Sequence, residues 1–161
     1  MKILVYGFGN PARQDDALGI EFVHRMEQML EREFDTLSNI EFDIGYQLNI
    51  EDALKISQYD EVYFVDASYD EKENFNIVKL YPKPLQHYSM HSVEPAFILD
   101  ICRELYGVLP DTYMVKIRGY EWQMKEGLSP AAEQNLSLAL EAFQYYIEKD
   151  IQISEKQPMI T

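Results

Sequence analysis

Hydrophobic and polar positions along the chain follow two alternating periods. Short, nearly continuous apolar runs predict strands at residues 2–6, 39–44, 61–66, 76–81 and 112–118. Stretches with an apolar residue every three to four positions predict helices at 16–34, 49–57, 92–106 and from residue 129 onward. This alternation predicts an α/β fold: a three-layer sandwich in which a mostly parallel, five-stranded twisted sheet carries helices on both faces.

The last predicted helix marks the end of the domain. Ser129 is a good N-cap residue, and Pro130 suits the first helical position. An apolar stripe follows at Leu136, Leu140, Phe143 and Ile147, and the periodicity ends after about Lys149. We therefore predict one domain over residues 1–149 and a polar C-terminal tail over 150–161.

Composition and charge narrow the classes of partner. The 161 residues fit one domain, and 28 acidic against 14 basic residues give a net charge of −14, which repels nucleic acid. No apolar run approaches the roughly 18 residues that a membrane span needs. The one cysteine, Cys102, excludes an internal disulfide framework and favours a reducing, cytoplasmic location. Its place on an apolar helix face indicates a core residue.

The loop after the first strand contains the glycines Gly7 and Gly9, which allow a tight turn. A dinucleotide-binding loop would need a third glycine near Ala12. The chain instead has a proline and then two carboxylates, Asp15 and Asp16, which would repel a phosphate. A flavodoxin-like nucleotide-binding domain is therefore a disfavoured alternative.

Three side chains with metal-binding chemistry follow different predicted elements. In the common doubly wound order the first and third strands are neighbours, so Asp16 and Asp66 would share a crevice at the carboxyl ends of the strands. His91 precedes a predicted helix. Helix capping by an aspartate, an Asx turn at Asp66 and a plain surface histidine are the structural alternatives. Two carboxylates and an imidazole would make an open site for zinc, nickel or manganese.

Four segments of the chain resemble the motifs of one known family, the hydrogenase maturation peptidases. They are Gly7-Phe8-Gly9-Asn10 followed by Asp15-Asp16 and Gly19, then Val65-Asp66-Ala67, Ser89-Met90-His91-Ser92 and Gly127-Leu128-Ser129-Pro130. The similarity extends from residue 2 to about residue 147. It departs from the family at Asp16, where many members have glutamate, and in the segment 45–53, where many relatives have a Gly-rich turn.

The resemblance implies a metal-dependent, aspartate-type endopeptidase that removes the C-terminal extension of a nickel-loaded hydrogenase large-subunit precursor. Asp16, Asp66 and His91 would be its catalytic residues and metal ligands. Nickel would be supplied by the substrate, and zinc or another divalent metal can substitute. We expect Gln47 and Asn10 to contact the peptide, and the family analogy implies a monomer. The alternative is a chaperone that senses the metal of the large subunit without cutting.

Overall fold

A computed structural model describes residues 1–33, 39–84 and 93–156, with side chains as far as residue 148. The strands are β1 (Ile3–Phe8), β2 (Ile40–Gly45), β3 (Glu61–Ser68), β4 (Phe75–Leu80) and β5 (Asp111–Arg118). The helices are α1 (Leu18–Glu33), α2 (Asp52–Ile56), α3 (Pro95–Tyr106) and α4 (Pro130–Lys156), and a short 3-10 helix (Gln14–Ala17) precedes α1.

The five strands form one sheet in the order β2-β1-β3-β5-β4. Strand β1 pairs in parallel with β2 and β3, and β3 pairs in parallel with β5. Only the edge strand β4 is antiparallel within the described sheet. The predicted mostly parallel, five-stranded α/β sheet is therefore confirmed, and its first and third strands are neighbours.

Helices cover both faces of the sheet. Helices α1 and α4 pack on one face in a core that includes Phe22 and Phe143, and α2 and α3 pack on the other in a core that includes Ile56 and Ile98. Successive strand residues point to opposite faces. In β3, Tyr63 and Val65 therefore face α1 and α4, and Val62 and Phe64 face α2 and α3. Asp66 continues this second series and faces the α2 and α3 side.

Two helices begin differently from the prediction. Helix α2 begins at Asp52 rather than at residue 49, and the Asn49 N–H donates a 2.9 Å hydrogen bond to the Asp52 carboxylate. Helix α3 begins at Pro95, after Glu94 in an extended conformation. Leu105 is exposed because it lies in the last turn of α3, just before Gly107 ends the helix.

The predicted core position of Cys102 and the start of α4 agree with the structure. Cys102 is fully buried on α3. Ser129 precedes α4, and its hydroxyl accepts a hydrogen bond from the Ala132 N–H. The backbone of α4 remains helical to Lys156, beyond the predicted end of the periodicity at about Lys149. Among the described helices, none is long and apolar enough to cross a membrane.

Candidate functional site

Glycines allow the start of α1 to pack directly against the ends of β1 and β3. A Cβ on Gly19 would lie 2.4 Å from the Val65 carbonyl oxygen, and one on Gly7 would lie 2.2 Å from the Gly19 carbonyl oxygen. Gly9 has φ of +148°, and a Cβ there would lie 2.0 Å from the carbonyl oxygen of Asp16. No other residue fits such close backbone contacts. The glycines of the first loop thus hold Asp16 at the carboxyl edge of the sheet.

Asp16 and Asp66 lie together at this edge. The Asn10 N–H donates a 2.8 Å hydrogen bond to Oδ2 of Asp16, and the Ala67 N–H donates one of the same length to Oδ1 of Asp66. The other oxygen of each carboxylate receives no hydrogen bond from the described residues. Burial, and then the negative charge of Asp16, raises the pKa of Asp66 to about 7. The two carboxylates are therefore close enough to repel each other.

A cation would relieve this repulsion. Two half-buried carboxylates, each with an oxygen not engaged by the described residues, are hard oxygen donors that suit a divalent metal with other ligands in its remaining positions. Within the described residues, no group of three His, Cys, Asp or Glu side chains forms a complete metal site. The predicted third ligand, His91, lies outside the described residues. The carboxylate pair thus fits part of an open metal site.

Comparisons with known proteins add to this geometry. No family model matches the chain, and no curated protein matches it. Among solved structures, the hydrogenase maturating endopeptidase HybD from Escherichia coli has 21% sequence identity and a TM-score of 0.71, with 93% of this chain and 94% of that chain covered. The chain has the fold of hydrogenase maturation proteases. The maturation protease HycI from Thermococcus kodakarensis has 20% identity and a TM-score of 0.68, covering 88% and 89% of the two chains.

A third solved structure supports the same fold. The hydrogenase 2 maturation peptidase from a Thaumarchaeota archaeon has 19% identity and a TM-score of 0.63, with 91% of this chain and 98% of that chain covered. At these identities the likeness establishes the maturation-protease fold over about nine-tenths of the chain. Asp16 and Asp66 occupy the carboxyl edge of the sheet in that fold, the edge at which open α/β sheets bind ligands.

Asp15 has a different role from its neighbour Asp16. Its side chain is fully buried, and its carboxylate accepts hydrogen bonds from the backbone N–H groups of Tyr120, Glu121 and Ser129 and from the Ser129 hydroxyl. Burial works against ionisation of Asp15, but these donors outweigh it and lower the pKa. Neither aspartate caps a helix through its side chain, contrary to the capping alternative; the 3-10 helix follows Arg13, without a side-chain cap.

Further hydrogen bonds join the loop after β1 to the loop after β5. The Arg13 Nε donates to the Trp122 carbonyl oxygen at 2.8 Å, and the Gln14 side chain accepts from the Gln123 N–H at 2.9 Å. Gln14 also adopts a positive φ of 43°. This connection was not apparent from the sequence, because no local pattern links segments more than a hundred residues apart. These hydrogen bonds hold the backbone next to Asp16 in place.

The loop after β1 in this chain, residues 9–16, has no free backbone donors for a phosphate. Its N–H groups donate to other described parts of the chain: Gly9 to Gly45, Asn10 to Asp16, Ala12 and Arg13 to Asn10, Gln14 to Lys125, Asp15 to Glu121 and Asp16 to Arg13. A phosphate-binding loop needs such groups directed at the ligand. The nucleotide-binding alternative therefore has no support in the geometry.

The loop after β2 borders the site. Gln47 is exposed there, and the amide of Asn10 donates a 3.3 Å hydrogen bond to the hydroxyl of the exposed Tyr46. Beneath this loop, burial raises the pKa of the Tyr6 hydroxyl to about 12, and the neighbouring Asp52 carboxylate adds to this increase. The place of Tyr46 beside Asn10 was not apparent from the sequence, since an exposed tyrosine carries no distinctive pattern.

Proposed function

We propose that this protein is an endopeptidase of hydrogenase maturation. It removes the C-terminal extension of a nickel hydrogenase large-subunit precursor, in a reducing, cytoplasmic setting. The observation that carries the proposal is the pair of Asp16 and Asp66 at the carboxyl edge of a fold whose solved members include hydrogenase maturation proteases. The order of the four sequence motifs supports the same activity.

The nickel enters with the precursor, as part of the substrate. Asp16, Asp66 and His91 together would hold it, and zinc or another divalent ion can take its place in the purified protein. A divalent metal in such a site polarises a carbonyl group or activates water for hydrolysis. The requirement for three ligands on separate loops makes cutting depend on a correctly loaded precursor.

The residues of the chain orient the two carboxylates before the precursor arrives. The Asn10 N–H fixes one oxygen of Asp16, and the Ala67 N–H fixes one oxygen of Asp66. The second oxygen of each carboxylate would therefore be available to a metal with little further loss of side-chain freedom. Such pre-organisation lowers the cost of binding. Gln47, exposed beside the site, would contact the peptide backbone, and Asn10 would hold the loop that borders the peptide.

Mass spectrometry of the precursor tests the proposal. Purified, nickel-loaded precursor incubated with the enzyme loses the mass of its extension, and nickel-free precursor does not. Asp16→Ala, Asp66→Ala and His91→Ala each slow trimming by at least about 100-fold. His24→Ala and Asp111→Ala are matched controls that trim normally, because His24 is exposed on α1 and Asp111 is exposed at the opposite edge of the sheet. Normal trimming by His91→Ala or Asp66→Ala would contradict the assignment.

The alternative is a chaperone that senses the metal of the same large subunit without cutting it. The same incubation distinguishes the two functions. A precursor that binds the protein in a nickel-dependent way, yet keeps its full mass after prolonged incubation, would favour the chaperone. In that case the Asp66→Ala variant loses binding rather than trimming.

A further inference from the structure

Two basic side chains lie at the carboxyl end of β5, the strand next to Asp66. Lys116 and Arg118 lie on the same face of β5 as Met114, which packs in the core beneath α2 and α3. This is the face that carries Asp66. In a chain with 28 acidic and 14 basic residues, two of the basic side chains therefore lie beside the carboxylates of the candidate site.

The register of the sheet places Lys116 in a polar row that begins at Asp66. Asp66 is paired with Lys116 on β5, and Lys116 is paired with Asn76 on β4. The row below is apolar, because Phe64, Met114 and Val78 occupy the corresponding positions. Neighbouring strands are about 4.8 Å apart. The polar row therefore extends from the carboxylate pair toward the edge strand β4. The apolar row lies next to it on the same face of the sheet.

The two cations differ in their partners. The Arg118 guanidinium donates a 3.3 Å hydrogen bond to the Lys72 carbonyl oxygen and lies 5.0 Å from the centre of the Tyr120 ring. Lys116 is a half-buried residue, and its ammonium makes no ion pair or hydrogen bond with the described residues.

We propose that Lys116 binds a carboxylate of the peptide to be cut. The inference rests on the proposed function and adds a determinant of substrate recognition to it. The ammonium offers three hydrogen-bond donors, and no ion pair with a described residue has to be broken before an anion binds. The carboxylate is either an acidic side chain of the extension or the terminal carboxylate of the precursor. In both cases Lys116 binds a part of the extension that lies on the β5 side of the bond to be cut.

A charge-assisted contact to a substrate group remote from the reacting bond changes binding more than chemistry. Replacing Lys116 with methionine keeps most of the aliphatic stem and removes the charge. We expect Lys116→Met to raise the KM for the nickel-loaded precursor about tenfold, with kcat within about twofold of the wild-type value. Lys116→Arg restores most of the affinity. Lys79→Met is the matched control, because Lys79 lies on the opposite face of the sheet and pairs with Asp111.

Altered precursors identify the carboxylate. If it belongs to a side chain, replacing the acidic residues of the extension with their amides raises the KM of the wild-type enzyme and leaves that of Lys116→Met unchanged. If it is the terminal carboxylate, adding two glycines to the extension has this effect instead.

The outcomes separate the two proposals. A wild-type enzyme that leaves the precursor intact overturns the proposed function, and the inference with it. A wild-type enzyme that trims normally, with Lys116→Met showing an unchanged KM, overturns only the inference. The inference is also wrong if Lys116→Met lowers kcat without changing KM, or if Lys116→Arg does not restore affinity.

Discussion

Asp15 and Ser129 are joined by two hydrogen bonds. The Ser129 N–H donates to Oδ1 of Asp15, and the Ser129 hydroxyl donates to Oδ2, each at 2.7 Å. The same hydroxyl accepts a 3.2 Å bond from the Ala132 N–H in the first turn of α4. One buried carboxylate thus connects the 3-10 helix before α1 to the start of α4, directly beside Asp16.

Removing the Asp15 carboxylate is expected to destabilise the fold strongly. Asp15→Ala leaves four buried or half-buried donors without their acceptor, and each lost partner costs about 1–3 kcal/mol, although not additively. We expect the free energy of unfolding in urea to fall by about 3–5 kcal/mol. Asp16→Ala is the control, with a loss below about 1 kcal/mol, since Asp16 is half-buried with one hydrogen bond. Equal losses in the two variants would contradict the division of roles.

The acid stability of the protein should depend on Asp15. Its pKa is lowered in the folded state by the Ser129, Tyr120 and Glu121 donors, against the effect of burial. The unfolded chain therefore binds a proton at a higher pH than the folded protein does. The resulting stabilisation is fully present above the ordinary carboxyl pKa of about 4 and is lost as the pH falls below it. Urea unfolding from pH 6 to pH 3 measures this loss, and Asp15→Asn should show a smaller decrease across that range.

The raised pKa of Asp66 should make the protein less stable as the pH rises, which is the opposite of the effect of Asp15. In the metal-free protein its pKa is raised from 3.8 to about 7, so the folded state keeps a proton that the unfolded chain has lost between these values. Stability from this group therefore falls as the pH rises from about 4 to about 7. The full shift corresponds to at most about 4 kcal/mol, and solvent access reduces this to about 2 kcal/mol.

The variant that isolates this effect is Asp66→Asn. At pH 8 the metal-free variant should unfold at a higher temperature than the wild type, while at pH 4 the two should be similar. A site built for ligands is often less stable than the same site without its charges. A lower melting temperature of Asp66→Asn at pH 8 would show that the Asp66 carboxylate is well solvated or paired in the folded protein.

The fold was predictable because it depends on local patterns that repeat. The continuous apolar run of Val62 to Val65 indicates a strand buried on both faces, and the alternation of such runs with helical stripes leaves few topologies open. The approach of Asp66 to Asp16 follows from the same reasoning, since parallel neighbours end at one edge. The antiparallel edge strand β4 and the helical backbone beyond Lys149 were not apparent, because neither has a distinctive period.

The division of labour between Asp15 and Asp16 was not predictable. The two residues are adjacent and identical, and the 3-10 helix, rather than residue type, decides which faces the crevice. The partner of Asp15, Ser129, is 114 positions away. Lys116 was also missed, because its position beside Asp66 is a matter of strand register, which apolar runs do not specify. His91 lies outside the described residues, and its role stays a prediction.

Glycine substitutions test how the first loop positions Asp16. In Gly9→Ala the new methyl group would lie 2.0 Å from the Asp16 carbonyl oxygen, at a φ of +148° that alanine rarely adopts. Backbone must shift to relieve this contact, so we expect a loss of about 3 kcal/mol or more in the free energy of unfolding. Because the displaced backbone is that of Asp16, trimming of the precursor should fall with it.

The matched control is Gly107→Ala at the end of α3. Gly107 has φ of +68°, but a Cβ at this position would have no atom within 4 Å, so its replacement costs only the left-handed strain of about 1–2 kcal/mol. It lies near the amino edge of the sheet and should leave trimming unchanged. Stability is measured by urea unfolding and trimming by the mass of the precursor. If Gly9→Ala retains both stability and trimming, close packing of the loop against Asp16 is not what holds this carboxylate in the site.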